Sequence, residues 1–173
     1  MLGAAFAAVQ FVPVAARNNP PVDAALTIEA NMKLPHDVQK VFDKACRNCH
    51  SNTTEWPWYS KVAPMSWLVA RDVERARKIM NLSEWSAQAG RTPQSAIGVL
   101  AAACSGVQSG RMPLPQYVMM HPEAKLTAED KAAFCSWSAQ ETAQLVQKIR
   151  KQRVKTSENH STTNAASAGS PSL

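Results

Sequence analysis

Cys46-Arg47-Asn48-Cys49-His50 sets two thiols three positions apart and an imidazole directly after the second. Cys-x-x-Cys-His is the pattern through which a haem is attached covalently. Thiols at that spacing on a turn reach the two vinyl groups of one porphyrin. The adjacent imidazole then lies under the ring with a nitrogen aimed at the iron. Four cysteines and four histidines in 173 residues make a chance match rare, about 0.002 expected per chain. Two other chemistries use the same residue types. A thioredoxin-like dithiol opens a helix inside a βαβ unit, whereas this motif closes a helical stripe with no strand pattern around it. A zinc site would need a further ligand, such as His121 or a distant cysteine, and no second compact pair is present.

An electron-transfer haem needs a second axial ligand, and methionine is the usual partner of histidine in cytochromes c. Of seven methionines, Met1 and Met32 precede the motif, and Met65 and Met80 fall on a helical stripe that core packing explains. Met112 follows a helix-stopping Gly110 and precedes Pro113, with Pro115 stiffening the same loop. It is the favoured iron ligand with His50; Met119, Met120, His121 or an open position are the alternatives. His36 and His160 read as solvated side chains. Trp56, Trp58, Tyr59 and Trp67 are candidate walls of the haem pocket, and Arg47 and Arg111 are candidate partners of its propionates.

The elements that must position these residues are helices. Val38, Val41, Phe42 and Ala45 recur at helical spacing after Leu34-Pro35, and this helix runs into Cys46. Met65, Val69, Val73, Ala76 and Met80 predict a second helix from about 65 to 80. Ser83 can cap a short turn holding Trp85. Thr92-Pro93 starts a third, with Ile97, Leu100, Ala101, Cys104 and Val107 on one face and Gly110 after its end. Arg111 to Ala124 carries Pro113, Pro115 and Pro122, which argues against a regular helix. Thr127 begins the last one, with Phe134, Cys135 and Trp137 in its first turns. The fold class expected is all-α, a cytochrome c-like helical domain wrapped around one covalent haem. The helices before Cys46 and after Thr127 should pack together. Cys104 and Cys135 would either form a disulfide, as an oxidising compartment favours, or remain two separate buried thiols.

The stretch Cys46-Arg47-Asn48-Cys49-His50-Ser51-Asn52-Thr53-Thr54-Glu55-Trp56-Pro57-Trp58-Tyr59-Ser60 resembles the bacterial haem-binding domain family of small c-type cytochromes. So do Ala63-Pro64 with Ser66-Trp67, Asn81-Leu82-Ser83-Glu84-Trp85, and Gly110-Arg111-Met112-Pro113-Leu114-Pro115 with His121-Pro122-Glu123-Ala124. The likeness spans about Asn19 to Trp137. It implies a single haem, an exported domain and often an N-terminal membrane anchor.

The flanks carry less chemistry. Residues 1–16 have no charge, but as a helix they would reach only ~24 Å of the ~30 Å hydrocarbon core. Pro13 interrupts them and no basic segment leads them. They read as the end of a longer signal or anchor, with Val14-Ala15-Ala16 suited to cleavage. A linker over 17–33, the haem domain over 34–150 and a disordered polar tail over 151–173 complete the expected organisation. The net charge is +6, most of it in Lys148, Arg150, Lys151, Arg153 and Lys155. No aromatic residue is interleaved there to stack bases, so a solvated helix end is expected and no nucleic acid. The expected function is a monohaem c-type cytochrome, an electron carrier rather than an enzyme, with room for weak peroxidase activity. Its cofactor is one covalent haem c with its iron. Its partners are redox proteins, with membrane attachment at the N-terminus and no small-molecule substrate. Its compartment is the periplasm, with anchoring to the inner membrane. A haem sensor or small peroxidase with an open sixth iron position is the rival, and a structural zinc module the third reading.

Overall fold

The computed structural model describes residues 2–12 and 17–167. Those residues form seven α-helices joined by loops and 3₁₀ turns, with no strand among them. The helices are α1 (Leu2–Val9), α2 (Ile28–Asn31), α3 (His36–Ala45), α4 (Met65–Ile79), α5 (Pro93–Gln108), α6 (Pro115–Met120) and α7 (Ala128–Ser167). Turns of 3₁₀ helix cover Ala24–Leu26, Trp58–Lys61, Leu82–Ala87 and Pro122–Ala124. Among the described residues no helix is long and apolar enough to cross a membrane. The Val14-Ala15-Ala16 cleavage expectation lies outside the described residues, as does the side chain of His160.

Helix α5 starts where its sequence says it should. The Thr92 hydroxyl accepts from Ser95 N at 3.1 Å, the Ser95 hydroxyl accepts from Thr92 N, and Pro93 takes the first turn, which satisfies amides the helix itself cannot. It ends at Gly110, whose φ of 71° favours a residue without Cβ. Helix α7 starts with a similar exchange between Thr127 and Asp130. Asp130 also receives Lys44 Nζ at 2.5 Å, tying α7 to α3. Helices α5 and α7 form the largest packed pair, and α3 lies on α7 as expected. Phe42, Phe134 and Trp137 meet edge-on or tilted with centroids 5.4 to 5.7 Å apart, the arrangement ring quadrupoles prefer.

Cys104 and Cys135 are bonded, with Cα atoms 5.1 Å apart and 31 positions between them in the chain. Closing a loop of that length removes denatured-state entropy worth roughly 3–4 kcal/mol. The double variant C104A/C135A should therefore lose about 3–4 kcal/mol in urea unfolding. A loss below ~1 kcal/mol would contradict the loop-closure account.

Four expectations are corrected. The linker over 17–33 is part of the packed domain: Ile28 is fully buried, Arg17 donates to Ser60 O at 2.6 Å, and Asn19 donates to Thr54 O at 2.8 Å. The segment after Arg111 does contain a helix, α6, because Pro115 sits at its first position and Pro122 follows its end. Asn81, not Ser83, caps the turn carrying Trp85, accepting from Ser83 N at 3.0 Å. The tail from 151 continues as helix to Ser167, since no Gly or Pro interrupts the sequence from Thr127 to there.

Candidate functional site

Helix α3 delivers the motif and stops on it. Cys46 N and Arg47 N both donate to Phe42 O, and the Cys46 carbonyl then accepts from Cys49 N at 3.1 Å and His50 N at 2.8 Å. This winds the five motif residues into one tight turn. Arg47 is locked outside the turn by ion pairs to Glu29 and to Asp43, the latter at 2.7 Å. The following residues fasten the turn to the Leu82–Ala87 segment. Asn52 N donates to Ser83 Oγ, Asn52 Nδ2 donates to Glu84 Oε1 at 3.0 Å, and Asn81 Nδ2 donates to Asn52 Oδ1 at 2.8 Å. Ser51, Asn52, Asn81 and Ser83 are all buried. Leu82 N also donates to His50 O at 2.7 Å.

His50 Nδ1 lies 3.0 Å from Met80 O. A carbonyl can only accept, so Nδ1 carries the hydrogen and Nε2 keeps its lone pair. Burial pushes the His50 pKa down, against the carbonyls of Met80 and Ala76 that favour the charged form. The result is a neutral, oriented imidazole. Metal-ligating histidines are held in this way by a backbone acceptor on the other nitrogen. Burial, and then Cys49, pushes the Cys46 thiol up to about 12; burial, and then Asp72, pushes Cys49 up to about 11. Both are neutral thiols at physiological pH. A thiol–disulfide oxidoreductase needs the reverse, a low-pKa thiolate. Among the described residues no three His, Cys, Asp or Glu side chains converge as metal donors, so the zinc reading lacks its ligand set.

Two adjoining cavities open beside the motif. One, of about 50 Å³, is lined by Asn48, Cys49, Tyr59, Met65, Val69 and Tyr117 among others. The second, of about 220 Å³, is lined by Cys49, His50, Ala76, Met112 and Leu114 among others. Cys49, Asp72, Leu114 and Tyr117 belong to both walls. Val69 and Met65, read from the sequence as part of a core stripe, line the first cavity. The face of α4 that is fully buried is Ser66, Ala70, Val73 and Ala76.

Cys49, His50 and Met112 are therefore brought together on one cleft, with Tyr59 in the adjoining cavity and Cys46 at the end of α3 lining neither. Met112 N donates to Gly106 O at 3.0 Å, and the absent side chain of Gly106 leaves room for Met112 Cγ, 3.4 Å from where a Cβ would stand. The tryptophans are elsewhere. Trp58 is 74% exposed and meets Tyr59 edge-on. Trp56 lines a separate polar cavity with Arg77 and Glu84. Trp67 lines neither haem-motif cavity. A proline-stiffened loop fixes the chain's path but not which way its rings turn. Arg47 is spent on Glu29 and Asp43, and Arg111 bonds Ser109 and Ser105. Arg75, which had no sequence signal, lines the His50 cleft instead. His121 has both ring nitrogens at other partners: its Nε2 is 2.7 Å from Tyr59 Oη and its Nδ1 3.1 Å from Glu123 Oε1. Asn48, Asp72 and the Met80 carbonyl were also missed. Nothing in the sequence marks a backbone acceptor or the variable positions of the motif.

A family model described as Haem-binding domain matches residues 4–140. No curated protein and no solved structure matches the chain.

Proposed function

Since the chain belongs to the haem-binding domain family, we propose that it is a monohaem c-type cytochrome that carries single electrons. Cys46 and Cys49 would hold the haem, with His50 Nε2 and the Met112 sulfur as axial ligands. The observation behind the reading is the His50 ring, fixed through Nδ1 by Met80 O at 3.0 Å, on the cleft that Cys49 and Met112 also line. When bound, the haem supplies an Fe(II)/Fe(III) couple.

The chain's own residues do the positioning. The Cys46 carbonyl turn brings Cys49 and His50 to the cleft, and Met80 O holds the imidazole by its Nδ1. Leu68, Val69 and Leu114 give the adjoining cavity an apolar wall. Arg75 supplies positive charge on the cleft wall, where carboxylate substituents of the ring need it. Ile79, 67% exposed, and Met112, 39% exposed, line the same cleft and give a redox protein partner an apolar edge to approach. The proposed compartment is the periplasm, since the proposed covalent attachment would take place outside the cytoplasm. The apolar N-terminal segment that begins with α1 would serve as targeting or inner-membrane anchoring sequence.

The test is an anaerobic reductive titration of the haem-loaded chain followed by visible absorption. One electron per haem, reversible, with low-spin bands in both states and no carbon monoxide complex on mixing, is the expected result. Immediate carbon monoxide binding to the reduced protein would instead favour the sensor or peroxidase with an open sixth position.

A further inference from the structure

The uncharged segment at the start of the chain and the aromatic block after the haem motif meet at one turn. Gln10 Oε1, just past α1, accepts from Ala63 N at 2.9 Å, and Arg17 donates to Ser60 O at 2.6 Å. The segment is thus fastened to residues 58–63 at two places. We propose that this turn, through Trp58, Lys61 and Val62, is a lipid-contacting surface that lies in the headgroup layer of an anionic bilayer. The proposal rests on the reading of the N-terminal segment as a membrane anchor. It adds a second contact, made by the folded domain itself.

The apolar side chains of the turn are not used by the core. Trp58 meets Tyr59 edge-on and is otherwise turned outward, and Val62 is exposed. Phe6, Phe11 and Val12, in the segment tied to them, are exposed as well. Elsewhere the domain buries its large rings: Phe42, Trp85, Phe134 and Trp137 are each at most 3% exposed. Exposed apolar side chains gathered at one place mark a surface that something covers. An indole suits the edge of a bilayer, because its body is apolar while its N–H still reaches water or headgroups.

Charge narrows the choice of what covers it. Residues 1–22 contain no Asp or Glu, and neither do residues 56–71. The charged side chains in those two stretches are Arg17, Lys61 and Arg71, all basic and all exposed. A long basic side chain at a bilayer edge lays its stem on apolar surface and its head among anionic headgroups. Cations alone would equally suit an acidic protein. The tie to the segment decides for lipid. Phe6, Phe11 and Val12 need an apolar layer, and the bond at Gln10 keeps the turn within a side chain's reach of wherever that segment meets the bilayer.

Helix α4 then separates the lipid contact from the cleft. The turn precedes its first residue, Met65, and Ile79 is its last. At 1.5 Å per residue those two ends are about 21 Å apart. A domain resting on the Trp58–Val62 turn therefore leaves the Ile79 and Met112 edge free for another protein.

The experiment uses the full chain as exported, with vesicles of equal parts phosphatidylcholine and phosphatidylglycerol. Flotation measures binding, and a lipid-soluble carbene photolabel read by mass spectrometry maps the contacts. The wild type should float with these vesicles, less with phosphatidylcholine alone, and carry adducts on Trp58 and Val62. W58S/V62S should bind at least roughly tenfold more weakly, the effect of losing one large buried apolar side chain. Its helical circular dichroism should match the wild type, because neither side chain supports the core, and W58F should retain most of the binding. F6S/F11S tests the segment separately. If F6S/F11S fails to bind while W58S/V62S binds as the wild type does and Trp58 stays unlabelled, the lipid-contacting turn is overturned and the anchor reading stands. If W58S/V62S loses binding and F6S/F11S does not, the turn stands and the anchor reading falls. A wild type that stays in solution with both vesicles overturns both. A wild type that is dimeric, becomes monomeric as W58S/V62S and carries no adducts gives the turn to a second copy of the chain and overturns the lipid contact.

Discussion

Serine at both Cys46 and Cys49 should take covalently attached haem from one equivalent per chain to none. The wild type, exported in a host that can mature c-type cytochromes, should keep the mass of one haem after denaturation. The double variant should run at the mass of the bare chain, and any haem it binds should be extracted by acid and organic solvent. The loss should be complete because no other free thiol is found among the described residues: Cys104 and Cys135 are bonded to each other. The fold should survive, because the turn is built from backbone groups. The Cys46 carbonyl accepts Cys49 N and His50 N whether sulfur or oxygen sits on the side chain. The three-helix packing of α3, α5 and α7 lies behind it. Single variants separate the roles. Each should retain one thioether and a shifted alkaline pyridine band. The site fails in its present form if the wild-type chain, exported and mature, also runs at bare mass.

Much of this arrangement could be read before any coordinate was known, because the signals were local. Thr92-Pro93 and Thr127 satisfy amides within a turn of themselves, so a helix start shows in four consecutive residues. Cys49 and His50 are adjacent, and Gly110 stops α5 by its own backbone. The missed features depend on partners far along the chain. Ile28 sits in a Pro- and Asn-rich segment with no periodicity, yet it fills the core beneath Leu82 and Trp85. Arg77 secures the same segment by donating to Asn18 O and Asn19 Oδ1, both at 2.9 Å, and to Ser51 O. Tyr59 and His121 are separated by 62 positions, and a histidine near a methionine loop reads equally well as a ligand until its two nitrogens are accounted for. The stripe on α4 shows the limit of periodicity. Apolar spacing identifies a face that avoids water, and it does not distinguish a face against protein from one against a cofactor cavity.

The second large effect should come from Met112→Ala. The wild-type oxidised protein should show a weak sulfur-to-iron charge-transfer band at the red end of the visible spectrum, and the variant should lack it. Its reduced form should bind carbon monoxide readily. Its potential should fall by on the order of 0.1 V, a modest share of the roughly 0.8 V that axial ligands span, because a methionine ligand raises the potential. The same substitution should change stability of the fold little. Met112 is 39% exposed, so its truncation removes far less buried surface than a core methionine, for which the cost is roughly 2–5 kcal/mol. That contrast is what separates a ligand from a packing residue. A side chain with so little of the core to support would have no reason to control the iron's spin state unless its sulfur were bound. The neighbours provide the comparison. Met119 is 76% exposed, and Met120 lines the cavity on the Tyr59 side, not the cleft that contains His50. M119A and M120A should keep the charge-transfer band. If the band persists in M112A and disappears in M120A, the sixth ligand comes from α6, and the haem lies toward Tyr59 and His121. If no methionine variant changes the spectrum and the wild type is already high-spin, the sixth position is open and ligand binding replaces electron transfer as the function.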